Sequence, residues 1–152
     1  MKPLRKPRRL NIESSLSHEV EEIAREIIDA AYKVHKTVGP GLLESVYEKC
    51  LVHELQSRGL KVESQKEIPF QYDGANLDLH LRLDVLIENT VIVELKSVEN
   101  MIPVYDAQVI SYLKLTKKQL GFLINFNVPK IKDGIKRFIN QKNPSRLRGE
   151  KI

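Results

Sequence analysis

Asp84, Glu94 and Lys96 are the residues whose types and spacing point most directly to chemistry. Asp84 lies in a run where Leu77, Leu79, Leu81, Leu83, Val85 and Ile87 alternate with Asp78, His80, Arg82, Asp84, Leu86 and Glu88. That period of two is a strand signal, and it puts Asp84 on the polar side. Glu94 and Lys96 are two apart and share one face of the next strand, while Val91, Val93 and Leu95 face the other way. A connection that consumes Glu88, Asn89 and Thr90 sets Asp84 opposite Glu94, with Cβ atoms about 4.5–5.5 Å apart. A two-residue turn slips the register and puts them on opposite faces. Facing carboxylates repel unless a cation lies between them, and a hard, oxygen-ligated ion such as Mg2+ suits that position, with Mn2+ as a substitute. Such an ion acidifies a bound water and screens phosphate charge. The ammonium of Lys96 can then orient that water, help deprotonate it, or neutralise charge developing on phosphorus. Spacing alone favours a plainer reading, an exposed cross-strand cluster of ion pairs.

The elements that must position these residues follow from periodicity and caps. Ser17 can cap a helix whose first turn holds Glu19, Glu21 and Glu22. Val20, Ile23, Ala24, Ile27, Ile28, Ala31 and Val34 make its apolar stripe, and Gly39-Pro40 ends it. A second helix runs from about Leu42 to Arg58, with Leu43, Val46, Tyr47, Cys50, Leu51 and Leu55 as its inner face and Gly59 after it. Val62–Tyr72 reads as a strand ending at an Asp73-Gly74 turn. The strand carrying Asp84 follows, then a strand over Thr90–Val98. Pro103 opens a helix reaching about Lys117, Leu120–Phe126 is a short apolar strand, and Lys132-Asp133-Gly134 is a turn before a last edge strand ending at Ile139. The order α-α-β-β-β-α-β-β describes an α/β domain. Its strand–helix–strand step between residues 90 and 126 predicts some parallel pairing, hence a mixed β-sheet flanked by helices.

The chain has 152 residues, enough for one domain, and a net charge of +5 that is unevenly spread. Lys2, Arg5, Lys6, Arg8 and Arg9 crowd the first ten residues without an acid, and Lys142, Arg146, Arg148 and Lys151 stand against Glu150 alone at the other end. The intervening residues carry 16 basic and 19 acidic side chains. The expected division is a basic tail at 1–16, a folded domain at 17–141 and a basic tail at 142–152. Such tails either grip polyanions or serve only solubility. One cysteine, Cys50, excludes an intrachain disulfide and a Cys-rich zinc site, and it reads as a core thiol. No apolar run spans a bilayer and no secretion signal is read, so no membrane association and a reducing, cytoplasmic location are expected. His35 and His53 have no metal-ligand spacing.

With those residues in view, Arg82-Leu83-Asp84 followed by Val93-Glu94-Leu95-Lys96 resembles the PD-(D/E)xK nuclease signature, with Leu83 where that signature has Pro. Gly41-Leu42-Leu43-Glu44-Ser45-Val46-Tyr47 resembles the signature of the GxxExxY proteins, a family placed in that superfamily. Asp106–Leu113 and Gly121–Phe126 also look like that family, and the likeness covers about residues 20–140. The resemblance implies a restriction-endonuclease-like fold and metal-dependent hydrolysis of nucleic acid, with DNA as the expected substrate and RNA as the alternative. It implies Asp84 and Glu94 as metal carboxylates, the Leu95 carbonyl as a further ligand, and Lys96 on the attacking water. Glu44 resembles the helix-borne acid that completes such sites; read alone it is a helix salt-bridge partner.

Gln108 and Tyr112, four apart on one helix face, resemble a Gln-x-x-x-Tyr element flanking such sites, though Tyr112 alone reads as a half-buried aromatic. Tyr47, on the same side of its helix as Glu44, either bonds Glu44 or a phosphate, or packs. His80 and Arg82 share the polar face of Asp84 and are within reach of substrate. Lys114, Lys117 and Lys118 are candidates for backbone contacts, and a homodimer is compatible with cutting two strands. Two other functions remain open, a non-catalytic nucleic-acid-binding or regulatory module that keeps the fold, and a protein-interaction subunit. Metal binding through Asp84 and Glu94 discriminates the enzyme from both.

Overall fold

The computed structural model describes residues 16–140; the two basic tails lie outside the described residues. Helix α1 (His18–Val38) starts where the Ser17 hydroxyl accepts the Val20 N–H at 3.2 Å, and it stops at Gly39, whose φ is 74°. Helix α2 (Glu44–Ser57) follows a five-residue connection. Strands β1 (Val62–Tyr72) and β2 (Ala75–Ile87) form a long hairpin around Asp73 and Gly74, both at positive φ, as a tight primed turn requires. Strand β3 (Val91–Lys96), helix α3 (Pro103–Thr116) and strand β4 (Leu120–Asn125) make the crossover unit. A single 3-10 turn over Ile131–Gly134, in place of a simple turn, leads into strand β5 (Ile135–Ile139).

The sheet order is β1-β2-β3-β4-β5, antiparallel except for the parallel β3–β4 pair. The expected mixed sheet is therefore present, and its parallel step is the one that α3 bridges. Helices α1 and α2 cover one face through Ile27, Ala31, Tyr47, Leu51 and Leu55, packed on Val85, Val93, Leu95, Phe122 and Ile124. Helix α3 covers the other through Val109 and Leu113, packed on Leu86, Ile92 and Leu123. Both faces of β3 and β4 are thus buried, which is why these strands read as continuous apolar runs.

Two expectations about α2 need correction. Leu43 is 73% exposed and Val46 also faces solvent, because Leu43 is the residue before the helix and Val46 lies off the stripe of Tyr47, Leu51 and Leu55. Tyr47 is fully buried and stacks on Phe126, with ring centroids 4.6 Å apart. Its hydroxyl donates to the Gly39 carbonyl at 2.6 Å and accepts the Leu42 N–H at 3.1 Å. It therefore binds the α1–α2 turn from below and makes no bond to Glu44. A second strut, the Ser97 hydroxyl, donates to the Leu42 carbonyl and ties that turn to the end of β3.

Tyr47→Phe keeps the stacking and strands the Leu42 N–H and Gly39 carbonyl. We expect a loss of about 1–3 kcal/mol in stability, read from urea unfolding, with the m-value unchanged.

Candidate active site

The connection between β2 and β3 decides whether the carboxylates meet. Glu88 and Asn89 both take positive φ, near 52° and 53°, and the Thr90 N–H donates to the Ile87 carbonyl at 2.9 Å. Ile87 pairs with Val91, so the connection consumes Glu88, Asn89 and Thr90. The register runs through Leu86–Ile92 to Val85–Val93, and one step further brings Asp84 across from Glu94. Backbone pairing between β2 and β3 ends there, while β3 stays paired with β4 through Lys96–Asn125.

Side chains take over where the ladder opens. The Leu95 N–H donates to Asp84 Oδ2 at 2.9 Å, and the Asp84 N–H donates to Glu94 Oε2 at 3.2 Å. Each carboxylate thereby stands in for a missing backbone acceptor. The N–H and C=O of one extended residue leave the strand on the same side, so the Leu95 carbonyl faces the same opening.

Glu94 is 3% exposed. Burial first, and then the charge of Asp84, push its carboxyl up to about 8; Lys96 acts the other way but does not offset them. Glu44, the first residue of α2, is also raised, by burial and then by Asp84, with Lys96 opposing. Tyr112 is raised by burial against the bond from Gln108, with Glu94 and Asp84 adding to the rise. The Gln108 amide donates to the Tyr112 hydroxyl at 3.0 Å, so the two act as one unit on α3. The Lys96 ammonium lies 4.4 Å from the centre of the Tyr105 ring, which holds it on the α3 side by a cation–π contact.

Glu44, Asp84, Glu94, Lys96, Gln108 and Tyr112 are therefore drawn into one electrostatic neighbourhood. His80 and Arg82 remain on the exposed arm of the hairpin, where Arg82 pairs with Glu67 at 3.2 Å and His80 lies opposite Pro69. Lys117 and Lys118 follow α3 at the end of the sheet where β4 begins, opposite the end at which Lys96 leaves β3. Oxygen donors for a hard cation are present in Asp84, Glu94, Glu44 and the Leu95 carbonyl. Among the described residues no three His, Cys, Asp or Glu side chains are yet gathered closely enough to hold an ion. The chemistry of the set still fits one: burial and then the charge of Asp84 raise the Glu94 carboxyl, and a bound cation would favour its ionised form.

Two residues of this neighbourhood escaped the sequence reading. Glu48 stands one turn after Glu44, and its carboxyl is raised by burial and, against a bond from Gln65, by Asp84. The i, i+4 spacing from Glu44 was the available signal. Asn125, 2% exposed, accepts the Val98 and Asn127 N–H groups and donates to the Val98 carbonyl, so it fixes the segment leaving β3. An amide at the end of an otherwise apolar strand was the signal there.

A family model for the PD-(D/E)XK nuclease superfamily matches residues 21–138. No curated protein matches the chain. Among the described residues no helix is long and apolar enough to cross a membrane.

The raised Glu94 has a consequence for stability. The folded chain keeps this proton up to about pH 8, whereas the unfolded chain releases it near the ordinary value of 4.5. Between those values the folded state binds more protons, so stability falls as pH rises through that window. With a chelator present, we expect the melting temperature to drop between pH 5 and pH 8, and Glu94→Gln to flatten that slope and raise stability at pH 8. Thermal melts of both proteins across the window make the comparison; equal slopes would place the proton elsewhere.

Proposed function

Because the chain belongs to the PD-(D/E)XK nuclease superfamily, we propose that it hydrolyses phosphodiester bonds in nucleic acid with a divalent cation held by Asp84 and Glu94. The carrying observation is the meeting of Asp84 with the buried Glu94 where the β2–β3 ladder opens, with Lys96 beside them. The substrate we propose is DNA, the cation Mg2+ with Mn2+ as a substitute, and the finer family the GxxExxY proteins, whose pattern Gly41, Glu44 and Tyr47 carry. The domain is residues 17–141, working in the cytoplasm, with the basic tails and a homodimer as added means of gripping a duplex.

When bound, the cation supplies charge neutralisation at phosphate and acidification of water. Asp84 and Glu94 would offer carboxylate oxygens to it, the Leu95 carbonyl a further one, and Glu44 would complete the set from α2. Lys96 points its ammonium at the attacking water or at charge growing on the phosphate. The water oxygen would bond phosphorus and give up one proton to solvent as the P–O ester bond breaks, and the departing oxygen would take one proton from solvent, so that no net proton is consumed in that exchange. Tyr105 holds the Lys96 ammonium over the face of its ring. Gln108 and Tyr112 line the α3 side, where a hydroxyl can meet a phosphate oxygen. His80 and Arg82, on the arm, are placed to meet more distant phosphates. Tyr47 serves by holding the turn before Glu44.

A fold-retaining module without chemistry is the competing function, and the joint presence of Asp84, Glu94 and Lys96 argues against it. Cleavage of single- and double-stranded DNA and RNA with Mg2+ or Mn2+ tests the proposal. Asp84→Ala should lose both cation binding and cleavage. Lys96→Ala should keep cation affinity within about threefold and lose cleavage by about 100-fold or more. Cation binding without any cleavage would favour the non-catalytic module.

A further inference from the structure

Gln65 sits in the middle of β1 with φ at 52°, a left-handed angle. Its neighbours are regularly paired, Ser64 with Val85 and Lys66 with Leu83, so the anomaly is confined to the position facing Asp84. Among the described residues, the other side-chain-bearing positive-φ positions have local explanations. Asp73, Glu88 and Asn89 form turns, Lys117 ends α3, and Asp78 lies at the hairpin's register shift with its N–H on the Asn76 side chain. Gln65 has no turn to make. A left-handed residue of this kind is strained and persists only where its surroundings enforce it.

The Gln65 side chain reaches α2. The Gln65 amide donates to both oxygens of Glu48, at 3.0 and 3.1 Å. The effect of the kink appears on β2. Leu83 packs in the cluster beneath α3, with Leu86, whereas Val85 packs beneath α1 and α2. A regular strand puts residues 83 and 85 on one face. Here β2 reverses its facing at Asp84, the one residue between them. Leu83 before it packs toward α3, Val85 after it packs under α1 and α2, and Asp84 lies between them. From there its charge reaches Glu44 and Glu48 on one layer and Glu94 and Tyr112 on the other.

We propose that Gln65, pinned in the left-handed conformation by Glu48, is a positioning residue that sets Asp84 out of the regular ladder and onto Glu94. This rests on the nuclease function proposed above. Glu48 then acts through Gln65 and the backbone, and touches neither cation nor substrate.

The test uses the full chain, Mn2+ titration, and cleavage of plasmid and single-stranded DNA. Gln65→Val removes the amide and resists the left-handed angle; it should lower kcat and Mn2+ affinity at least tenfold with KM for DNA nearly unchanged. Gln65→Gly also removes the amide but accepts the angle freely, and it should lose at least fivefold less than Gln65→Val. Glu48→Ala should lower kcat in the native background and add nothing in the Gln65→Gly background. Equal losses in Gln65→Val and Gln65→Gly overturn the proposal. So does an equal loss from Glu48→Ala in both backgrounds, which would make Glu48 a direct ligand. If Gln65→Val does not fold, as judged by circular dichroism, the two Glu48→Ala comparisons decide. If the unaltered chain neither binds Mn2+ nor cleaves, the nuclease function fails, and hydrogen exchange at the Leu95 amide still reads the geometry. Exchange faster in Glu48→Ala than in the unaltered chain supports the proposal, and unchanged exchange overturns it.

Discussion

The exchange of hydrogen bonds between Asp84 and Glu94, each carboxylate taking a backbone N–H of the opposite strand, is the constraint around which the molecule is arranged. It forms where β2 parts from β3 and would otherwise leave unpaired amides in a nearly dry place. The Asp84 carboxylate satisfies the Leu95 amide strongly, because that bond is charge-assisted, and the Glu94 carboxyl accepts the Asp84 amide. The same closeness sets two like charges together under low dielectric, and Glu94 answers by keeping its proton. One contact thus closes the sheet and leaves it electrostatically incomplete.

The layers converge on that point from both sides. Strand β3 remains paired with β4 after it has left β2, so Glu94 and Lys96 ride on a backbone held from one edge and buried on both faces. Helix α2 brings Glu44 and Glu48 over one side, and its start is fixed by Tyr47 and by the Ser97 bond to Leu42. Helix α3 brings Tyr105, Gln108 and Tyr112 over the other. Asn125 closes the end of the sheet by gripping Val98. Side chains that carry no charge near the centre therefore do much of the alignment, and rigid support of this kind is what a hydrolytic site requires.

The long β1–β2 hairpin illustrates how local strain and remote contact combine. Its outer part is exposed and regular apart from the shift near Asp78, and the inner part of β2 is buried while β1 beside it is half-buried or exposed. The reversal of facing at Asp84 lies at the boundary between the two. On the arrangement proposed above, the reversal draws on an irregular residue on the partner strand and a helix-borne acceptor beside it. Gln65 and Glu48 supply these from segments 17 residues apart.

Much of this was legible from the chain alone. Helix limits followed from Ser17, Gly39, Gly59 and Pro103, and strand limits from period-two patterns, because caps and turns are local physics. The pairing of Asp84 with Glu94 could be posed from sequence but depended on whether the connection held two residues or three. The left-handed angles of Glu88 and Asn89 decided it. The role of Tyr47, the grip of Asn125, and the bonds from Gln65 to Glu48 were out of reach, since each depends on where a side chain lands once helices and strands have been placed in space. Residue types and spacing determined which groups could do chemistry and which strands and helices would carry them. Only tertiary structure decided which of those groups share a dielectric environment, because burial and long-range hydrogen bonds exist only once the layers have closed on one another.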